Sequence, residues 1–183
     1  DQEGTCYYSD DYFLETSTIE NTHRRTMSLA FVLSGFASKD GSTDWDQGVD
    51  ENGVRNNDKD PKWKNAKNLL CGIDGNEDYP GLGFDEETFQ VNDFWLRKPT
   101  RDSIGVLAAN KTLRDGSRLV ALAIRGGGYE QEWASNFTIG LWDEHEGFAK
   151  AKRDTLSFLD SYLTEMQITG PIKLWIVGYS RSG

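Results

Sequence analysis

The chain has 183 residues, of which 37% are hydrophobic and 12% are aromatic, so it is long enough to build one domain around a substantial core. Its net charge of −10 is uneven: residues 1–100 hold 20 acidic and 10 basic residues, whereas residues 101–183 hold 10 of each. Neither half has the basic surplus that neutralises phosphates, which argues against nucleic acid or an anionic membrane as a partner. No apolar run is long enough to span a bilayer, so we expect no integral membrane segment.

Residues 1–15 combine aromatic and acidic side chains and are predicted to lie as an arm across the body of the protein. Ser17 and Glu20 have the spacing of a capping box, which predicts a helix that begins there and ends near Gly35 or Ser38. Its apolar positions recur at helical spacing and give a wide buried face: Met27, Leu29, Ala30, Phe31, Val32, Leu33, Ser34 and Phe36. His23 lies in the first turns and is predicted to be an exposed helix residue.

Residues 39–61 contain Asp, Asn and Gly with scarcely an apolar side chain, which predicts a long surface loop. Neither these acids nor those of residues 74–78 follow the order of an EF-hand loop, so a solvated loop is favoured over a calcium site and no metal or cofactor is predicted. Residues 62–71 are predicted to form a short amphipathic helix that Gly72 ends. Cys6 and Cys71 leave one disulfide bridge or two free thiols as equal alternatives.

The α/β character begins after residue 100. Residues 88–91 are predicted as a short strand, and the apolar runs 104–110 and 119–124 predict a hairpin of two core strands, with Asp115 and Gly116 at its turn. The second of these strands leads into Arg125 and three glycines, whose bare backbone would expose N–H groups above the sheet edge.

The clearest helix is predicted over residues 148–166, followed by a buried strand over residues 173–177. The apolar positions of the helix recur every three or four residues: Ala151, Thr155, Leu156, Leu159, Tyr162, Leu163 and Met166. A strand, a helix and a strand in this order predict a right-handed crossover to a parallel neighbour. The turn after the last strand then lies at the carboxyl edge of the sheet, where open α/β sheets place their sites.

That turn carries Ser180 between small residues, in the order Gly178-Tyr179-Ser180-Arg181-Ser182-Gly183. A serine at a sharp strand-to-helix turn is typical of the nucleophile elbow, whose strained backbone needs small neighbours. Ser182 stands where the usual motif has its second glycine. An ordinary turn rich in glycine and serine is the alternative interpretation.

Four features occur in a fixed order: Arg125-Gly126-Gly127 after a core strand, Trp133 with Asn136-Phe137, the sequence His145-Glu146-Gly147-Phe148, and the serine turn. In this order residues 101–183 resemble the class 3, or fungal-type, lipases and their relatives in Firmicutes bacteria. Residues 1–100 resemble, more weakly, the helical N-terminal region of the Firmicutes members. The resemblance implies an α/β-hydrolase fold in which region 1–100 packs on the first part of the hydrolase core, 101–183.

The resemblance further implies a serine ester hydrolase that acts on lipid or other carboxylic esters through an acyl-enzyme on Ser180. The backbone N–H groups of Gly127 and Arg181 would stabilise the oxyanion, and Arg125 would anchor the loop.

Tyr129 and Trp133 fall where the fungal members carry the lid, so that Trp133 would meet lipid or substrate; a core tryptophan under the loop is the equal alternative. The resemblance also implies a bacterial protein outside the cell or on its surface. Residues 1–4 do not resemble a signal peptide, so the expectation for such a protein is that its signal peptide has been removed.

In α/β-hydrolases the acid and the histidine of the triad follow the serine, whereas His23 and His145 both precede Ser180. The resemblance therefore implies that both come from a C-terminal remainder of the same protein and that residues 1–183 alone are inactive. One alternative is a binding or structural protein with the hydrolase fold and no activity. Ser182 in place of the second glycine of the motif and the acidic N-terminal half are compatible with this alternative. A protease or a thioesterase is another, because the same elbow serves other acyl transfers.

Overall fold

A computed structural model describes residues 5–36, 62–92, 104–125 and 146–178. Within these ranges the helices are α1 (Asn21–Phe36), α2 (Lys62–Cys71) and α3 (Glu146–Glu165), and the strands are β1 (Gln90–Val91), β2 (Val106–Thr112), β3 (Arg118–Ile124) and β4 (Ile172–Gly178). Two short 3-10 turns, Asp10–Phe13 and Glu86–Thr88, precede α1 and β1. None of the helices in these ranges is long and apolar enough to cross a bilayer.

The four strands form one mixed sheet in the order β1-β2-β3-β4. β1 pairs with β2 and β2 with β3 in antiparallel fashion, and Gly116 closes the predicted hairpin with a φ of 80°, a left-handed conformation that glycine adopts readily. β3 and β4 are parallel neighbours, from Arg118 opposite Ile172 to Ile124 opposite Gly178. The predicted strand-helix-strand unit with parallel strands is confirmed, and the described residues form part of an α/β fold.

Helices cover both faces of the central strands, so β2 and β3 are buried at almost every position, including the polar Asn110 and Lys111 of β2. On one face the sheet packs against α1, α2 and the N-terminal arm; this core includes Met27, Phe31, Ala66, Leu70, Leu107, Ala109, Leu119, Ala121 and Trp175. On the other face it packs against α3; this second core includes Val106, Ala108, Val120, Leu122, Ala151 and Tyr162.

Trp175 of β4 lies at the centre of the first core. Its ring centroid is 4.9 Å from that of Phe31, 5.5 Å from Phe13 and 5.7 Å from Tyr8. Its indole N–H donates a hydrogen bond to Ser28 Oγ at 2.9 Å, so the polar atom of the buried ring is satisfied. One residue of β4 thus binds both α1 and the arm, which crosses the body as predicted.

A buried lysine holds the arm from the other side. Lys111 is 5% exposed, and its Nζ lies 2.6 Å from Asp10 Oδ1 and 4.7 Å from the ring centroids of Tyr8 and Phe84. Burial, followed by the negative charge of Asp10, raises the pKa of the Tyr8 phenol above its usual range. The ion pair stabilises the charge of an amine that would otherwise be costly to bury.

A hydrogen-bonded network ties α3 to the sheet. The Tyr162 hydroxyl accepts a hydrogen bond from Asn110 Nδ2 at 2.7 Å and donates one to the Thr88 carbonyl at 2.9 Å. The Tyr162 side chain is fully buried, and this burial raises its pKa. The Tyr162 hydroxyl, Asn110 Nδ2 and the Thr88 carbonyl therefore each have a partner.

Several sequence predictions need correction. α1 begins at Asn21, because the Glu20 carbonyl accepts from the N–H groups of His23 and Arg24, while Ser17 Oγ accepts from Ile19 N in an earlier turn. The prediction of a capping box formed by Ser17 and Glu20 at the start of α1 is therefore wrong. Leu29, Leu33 and Leu156, which the helical pattern placed inside, are 50%, 48% and 55% exposed.

The short helix α2 matches its prediction from first residue to last, and Gly72 ends it with a φ of 87°. A Cβ at Gly72 would lie 2.8 Å from the backbone of Pro80, so the close approach also requires glycine. Cys6 and Cys71 are both free thiols, and burial raises the pKa of Cys71 to about 11. Of the two alternatives for the cysteines, the structure contains the free thiols.

Candidate functional site

The candidate site lies at the carboxyl edge of β3 and β4, and the two strands end there side by side. Ile124, the last residue of β3, is the register partner of Gly178, the last residue of β4. Neighbouring strands lie about 4.8 Å apart, so the chain leaves the sheet at two adjacent points of one edge. The glycines at 126–128 follow the first point and Ser180 follows the second.

The predicted catalytic and lid residues themselves lie outside the described ranges: Ser180, Gly127, Arg181, Tyr129 and Trp133. Arg125, the predicted anchor of the glycine loop, is described and is only 8% exposed. Its backbone N–H donates to the Gly105 carbonyl at 2.8 Å, which continues the pairing of β2 and β3 one residue beyond the end of β3. The strand that leads to the glycines is therefore fixed up to residue 125.

β4 is covered on one face only, so the prediction of a buried strand is wrong for the other. Trp175 and Val177 are buried against α1, whereas Ile172, Leu174 and Ile176 are 39%, 41% and 56% exposed. Within the described ranges α3 packs against β2 and does not extend over these three side chains.

The outer edge of β4 is also open. The sheet order places β4 last, and no backbone group of the described residues bonds to its outer side. Every second residue of such an edge presents an unpaired N–H and C=O.

A groove runs between this edge and α1. It consists of two cavities, of about 520 Å³ and 350 Å³, that share Arg24, Ser28 and Ile176. The larger reaches the arm at residues 12–15, and the smaller reaches Gly178 at the carboxyl end of β4. We refer to this space as the β4 groove.

Three cations line the β4 groove, Arg24, Arg25 and Lys173, and Glu15 lines its larger cavity. Lys173 Nζ lies 2.7 Å from Asp115 Oδ2, and this contact, with hydrogen bonds from Ser117, holds the pKa of Asp115 below its usual range. Arg24 has a buried Nε without a hydrogen-bond partner, and none of the described carboxylates pairs with it. Among the described residues, Lys173 is therefore the cation of the groove that has a carboxylate partner.

Sequence analysis did not single out Arg24. It lies beside His23 and Arg25 in a turn of α1 where His23 is exposed, as predicted. Nothing in the local pattern distinguishes Arg24 from Arg25, which is exposed; only the packing of α1 along β4 places Arg24 in a groove.

Over the residues that the structure describes, no three His, Cys, Asp or Glu side chains are grouped to hold a metal ion. Comparison of the chain with family models, with curated proteins and with solved structures finds no match in any of the three. The class that the described part of the chain defines is therefore α/β, with a mixed sheet between helices.

Proposed function

We propose that this protein is a serine ester hydrolase in which Ser180 attacks a carboxylic ester and carries the acyl group. The observation that supports the proposal is the level ending of β3 and β4, with Ile124 opposite Gly178. Ser180 follows the end of β4 by two residues and Gly127 follows the end of β3 by three, so both segments start from adjacent points of one edge. Acyl transfer requires this pairing of a nucleophile with donors for the developing oxyanion.

Gly127 and Arg181 are the proposed donors through their backbone N–H groups. Each such donor contributes about 3 kcal/mol to the transition state, because the negative charge forms on one oxygen in a fixed environment. Tyr129 and Trp133 are proposed to contact the acyl chain or a lipid surface, which makes lipid esters the preferred substrates. The finer fold assignment, an α/β-hydrolase core, belongs to the same proposal.

We assign neither the acid nor the base of the triad to a residue at positions 1–183. His23 is exposed on α1, and His145 directly precedes α3. The assignment follows the serine, acid, histidine order of the hydrolases that the motifs resemble. We also propose that the protein acts outside the bacterial cell or on its surface.

The test is labelling of Ser180 by a fluorophosphonate, together with hydrolysis of p-nitrophenyl esters of increasing chain length by the natural gene product and its Ser180→Ala variant. We expect rapid labelling and hydrolysis by the natural protein and neither by the variant. Equal rates of ester hydrolysis by the natural protein and by Ser180→Ala would contradict the proposal. Rapid, stoichiometric labelling of residues 1–183 alone would show that the base lies within them.

The oxyanion assignment is tested by Gly127→Pro, which removes the N–H donor, with Gly127→Ala as the matched variant that keeps it. We expect kcat to fall by about a hundredfold or more in the proline variant only. If the folded proline variant keeps full turnover, the donor lies elsewhere, at Gly126 or Gly128.

A binding protein with this sheet and no hydrolase activity is the second candidate. The β4 groove, with its open strand edge and unmatched arginine, is the observation that favours it.

A further inference from the structure

We propose that Lys111 and Asp10 react with each other to form an intramolecular isopeptide bond, an amide between Lys111 Nζ and Asp10 Cγ that ties the N-terminal arm covalently to β2. The observation that carries the proposal is a buried lysine amine held in contact with a carboxyl group between two aromatic rings. This inference does not depend on the chemistry of Ser180.

The two reacting groups are already in contact. Lys111 Nζ lies 2.6 Å from Asp10 Oδ1. Oδ1 is buried, and it has no hydrogen-bond partner among the described residues, so the contact with Nζ does not have the angles of a hydrogen bond. Because the carboxyl carbon is bonded to Oδ1, Nζ lies within about 4 Å of it, close to the separation of about 3–3.5 Å from which a positioned nucleophile attacks.

The surroundings of the amine exclude water. Lys111 is only 5% exposed, and the ring centroids of Tyr8 and Phe84 lie 4.7 Å from Nζ. An ammonium and a carboxylate in contact can exchange one proton to become an amine and a carboxylic acid, a pair without charges that are costly to keep from water. The amine in this neutral pair is the form that attacks a carboxyl carbon.

Tyr8 supplies a hydrogen-bond donor beside the carboxyl group. Its hydroxyl is buried and has no hydrogen-bond partner in the described part of the chain. Burial, followed by the proximity of the Asp10 carboxylate, raises the pKa of the Tyr8 phenol, so the hydroxyl keeps its proton. We assign to this hydroxyl a hydrogen bond to the carboxyl oxygen on which negative charge develops during the attack.

The reaction needs no oxidant and no co-reactant. One proton passes from the ammonium of Lys111 to the carboxylate of Asp10, and the nitrogen lone pair then forms the N–C bond to Cγ. A second proton passes from the nitrogen to a carboxyl oxygen, the bond from Cγ to this oxygen breaks, and the oxygen leaves as water. The Asp10 side chain is 42% exposed although Oδ1 is buried, so the water has a route to solvent.

Two other lysine–carboxylate pairs have similar separations and different surroundings. Lys67 Nζ lies 2.6 Å from Glu86 Oε1, with side chains that are 30% and 57% exposed, and Lys173 Nζ lies 2.7 Å from Asp115 Oδ2, with side chains that are 19% and 40% exposed. Water that reaches these groups stabilises their charges, so we expect them to stay ion pairs. The burial of the amine distinguishes Lys111.

The amide would keep the arm on the body of the protein even when the apolar contacts of the arm open. It closes the chain between residues 10 and 111 into a loop, and a cross-link that closes a long loop stabilises a protein largely by restricting its unfolded state. Cys6 and Cys71 are free thiols, so among the described residues no disulfide bridge has this role.

The test is the intact mass of the natural gene product, measured by electrospray mass spectrometry, with Lys111→Met as the matched control. We expect the natural protein to be one water molecule lighter than its amino-acid sequence and Lys111→Met to have the full mass. Succinimide formation at a sequence such as Asp115-Gly116 also removes water, but that loss would persist in Lys111→Met. Proteolytic digestion and tandem mass spectrometry should yield a branched peptide that joins Asp10 to Lys111.

Two further variants test the partner and the donor. Asp10→Ala should have the full mass, because it lacks the carboxyl group. Tyr8→Phe keeps the ring and loses the hydroxyl, and we expect the bond to form about a hundredfold more slowly, followed as the loss of water with time after refolding from urea. Circular dichroism of each variant verifies the fold.

A natural protein that keeps its full mass would overturn the proposal. A loss of water that persists in Lys111→Met, or a digest without the branched peptide, would overturn it as well. If folded Tyr8→Phe forms the bond as fast as the wild type, the role assigned to the Tyr8 hydroxyl is wrong.

Discussion

β3 and β4 are parallel neighbours of seven residues each, and similar apolar sequences form both, yet their surroundings differ. Five consecutive residues of β3 are buried, whereas β4 alternates between buried and exposed positions. The difference is confined to one face: Trp175 is 4% exposed on the α1 side, and Ile176 is 56% exposed on the α3 side. In the described part of the chain, helices cover both faces of β3 and only one face of β4.

The contrast shows that an apolar strand sequence predicts a strand and not its degree of burial. On an interior strand that is covered on both faces, each apolar side chain is removed from water and contributes to stability in proportion to the area that it buries. An exposed leucine or isoleucine on an edge strand contributes little until something covers it. Substitutions at register partners of β3 and β4 therefore measure how much the covered and the open position each contribute to the free energy of unfolding.

The largest expected effect is that of Trp175→Ala. Loss of the ring removes the contacts with Phe31, Phe13 and Tyr8, and we expect the free energy of unfolding to fall by about 3–5 kcal/mol. Urea unfolding followed by circular dichroism measures this. Leu174→Ala, at the adjacent position on the open face, is the control and should cost less than about 1 kcal/mol. Similar losses would mean that β4 is covered on both faces in solution.

A comparison across the two strands sharpens this point. Leu122 and Ile176 are register partners, so they occupy the same level and face of the sheet. Leu122→Ala should lower the free energy of unfolding by about 2–5 kcal/mol, and Ile176→Ala by less than about 1 kcal/mol.

Tyr162 tests how α3 is held over the covered face. Tyr162→Phe leaves Asn110 Nδ2 and the Thr88 carbonyl without their partner, and we expect a loss of about 1–3 kcal/mol at neutral pH. Tyr79→Phe, at an exposed tyrosine, should change stability little.

The loss on Tyr162→Phe should depend on pH. Because the pKa of Tyr162 is raised above its ordinary value of 10, the folded state favours the neutral phenol, and its contribution is complete below pH 10. As the pH rises above 10 the unfolded phenol ionises first and the contribution is lost. The stability difference between the wild type and Tyr162→Phe should therefore narrow in alkaline solution; a constant difference from pH 8 to pH 12 would contradict the assignment.

The smallest expected effect is that of Asp115→Asn, which removes the contact between the β2–β3 turn and Lys173 at the start of β4. The pKa of Asp115 is depressed by Lys173 and Ser117, so its contribution is present above the ordinary carboxyl pKa of 3.8 and is lost as the pH falls below it. We expect a small loss at neutral pH that vanishes in acid and decreases with added salt. Asp78→Asn, at an exposed turn, is the control, and an equal effect there would remove any special role for the Lys173 contact.

The sequence alone determined most of the secondary structure. α2 was predicted to the residue, and β3, β4 and α3 to within two residues, because hydrophobic periodicity and the turn residues Gly72, Gly116 and Gly170 act locally. It also determined that β3 and β4 are parallel neighbours, since a helix connects them. The roles of Ser180 and Gly127 stay predictions.

Only the tertiary structure decided which apolar and charged side chains are covered. Ile176 and Leu122 are register partners in neighbouring strands, yet Leu122 is buried and Ile176 is exposed. Arg24 and Arg25 are adjacent in one helix, yet Arg24 is half-buried and Arg25 is exposed. Burial depends on which distant element lies across a strand face, and neither periodicity nor composition specifies that arrangement. For the same reason the burial of Lys111 beside Asp10 and the central place of Trp175 became visible only once the arm, α1 and β4 were packed together.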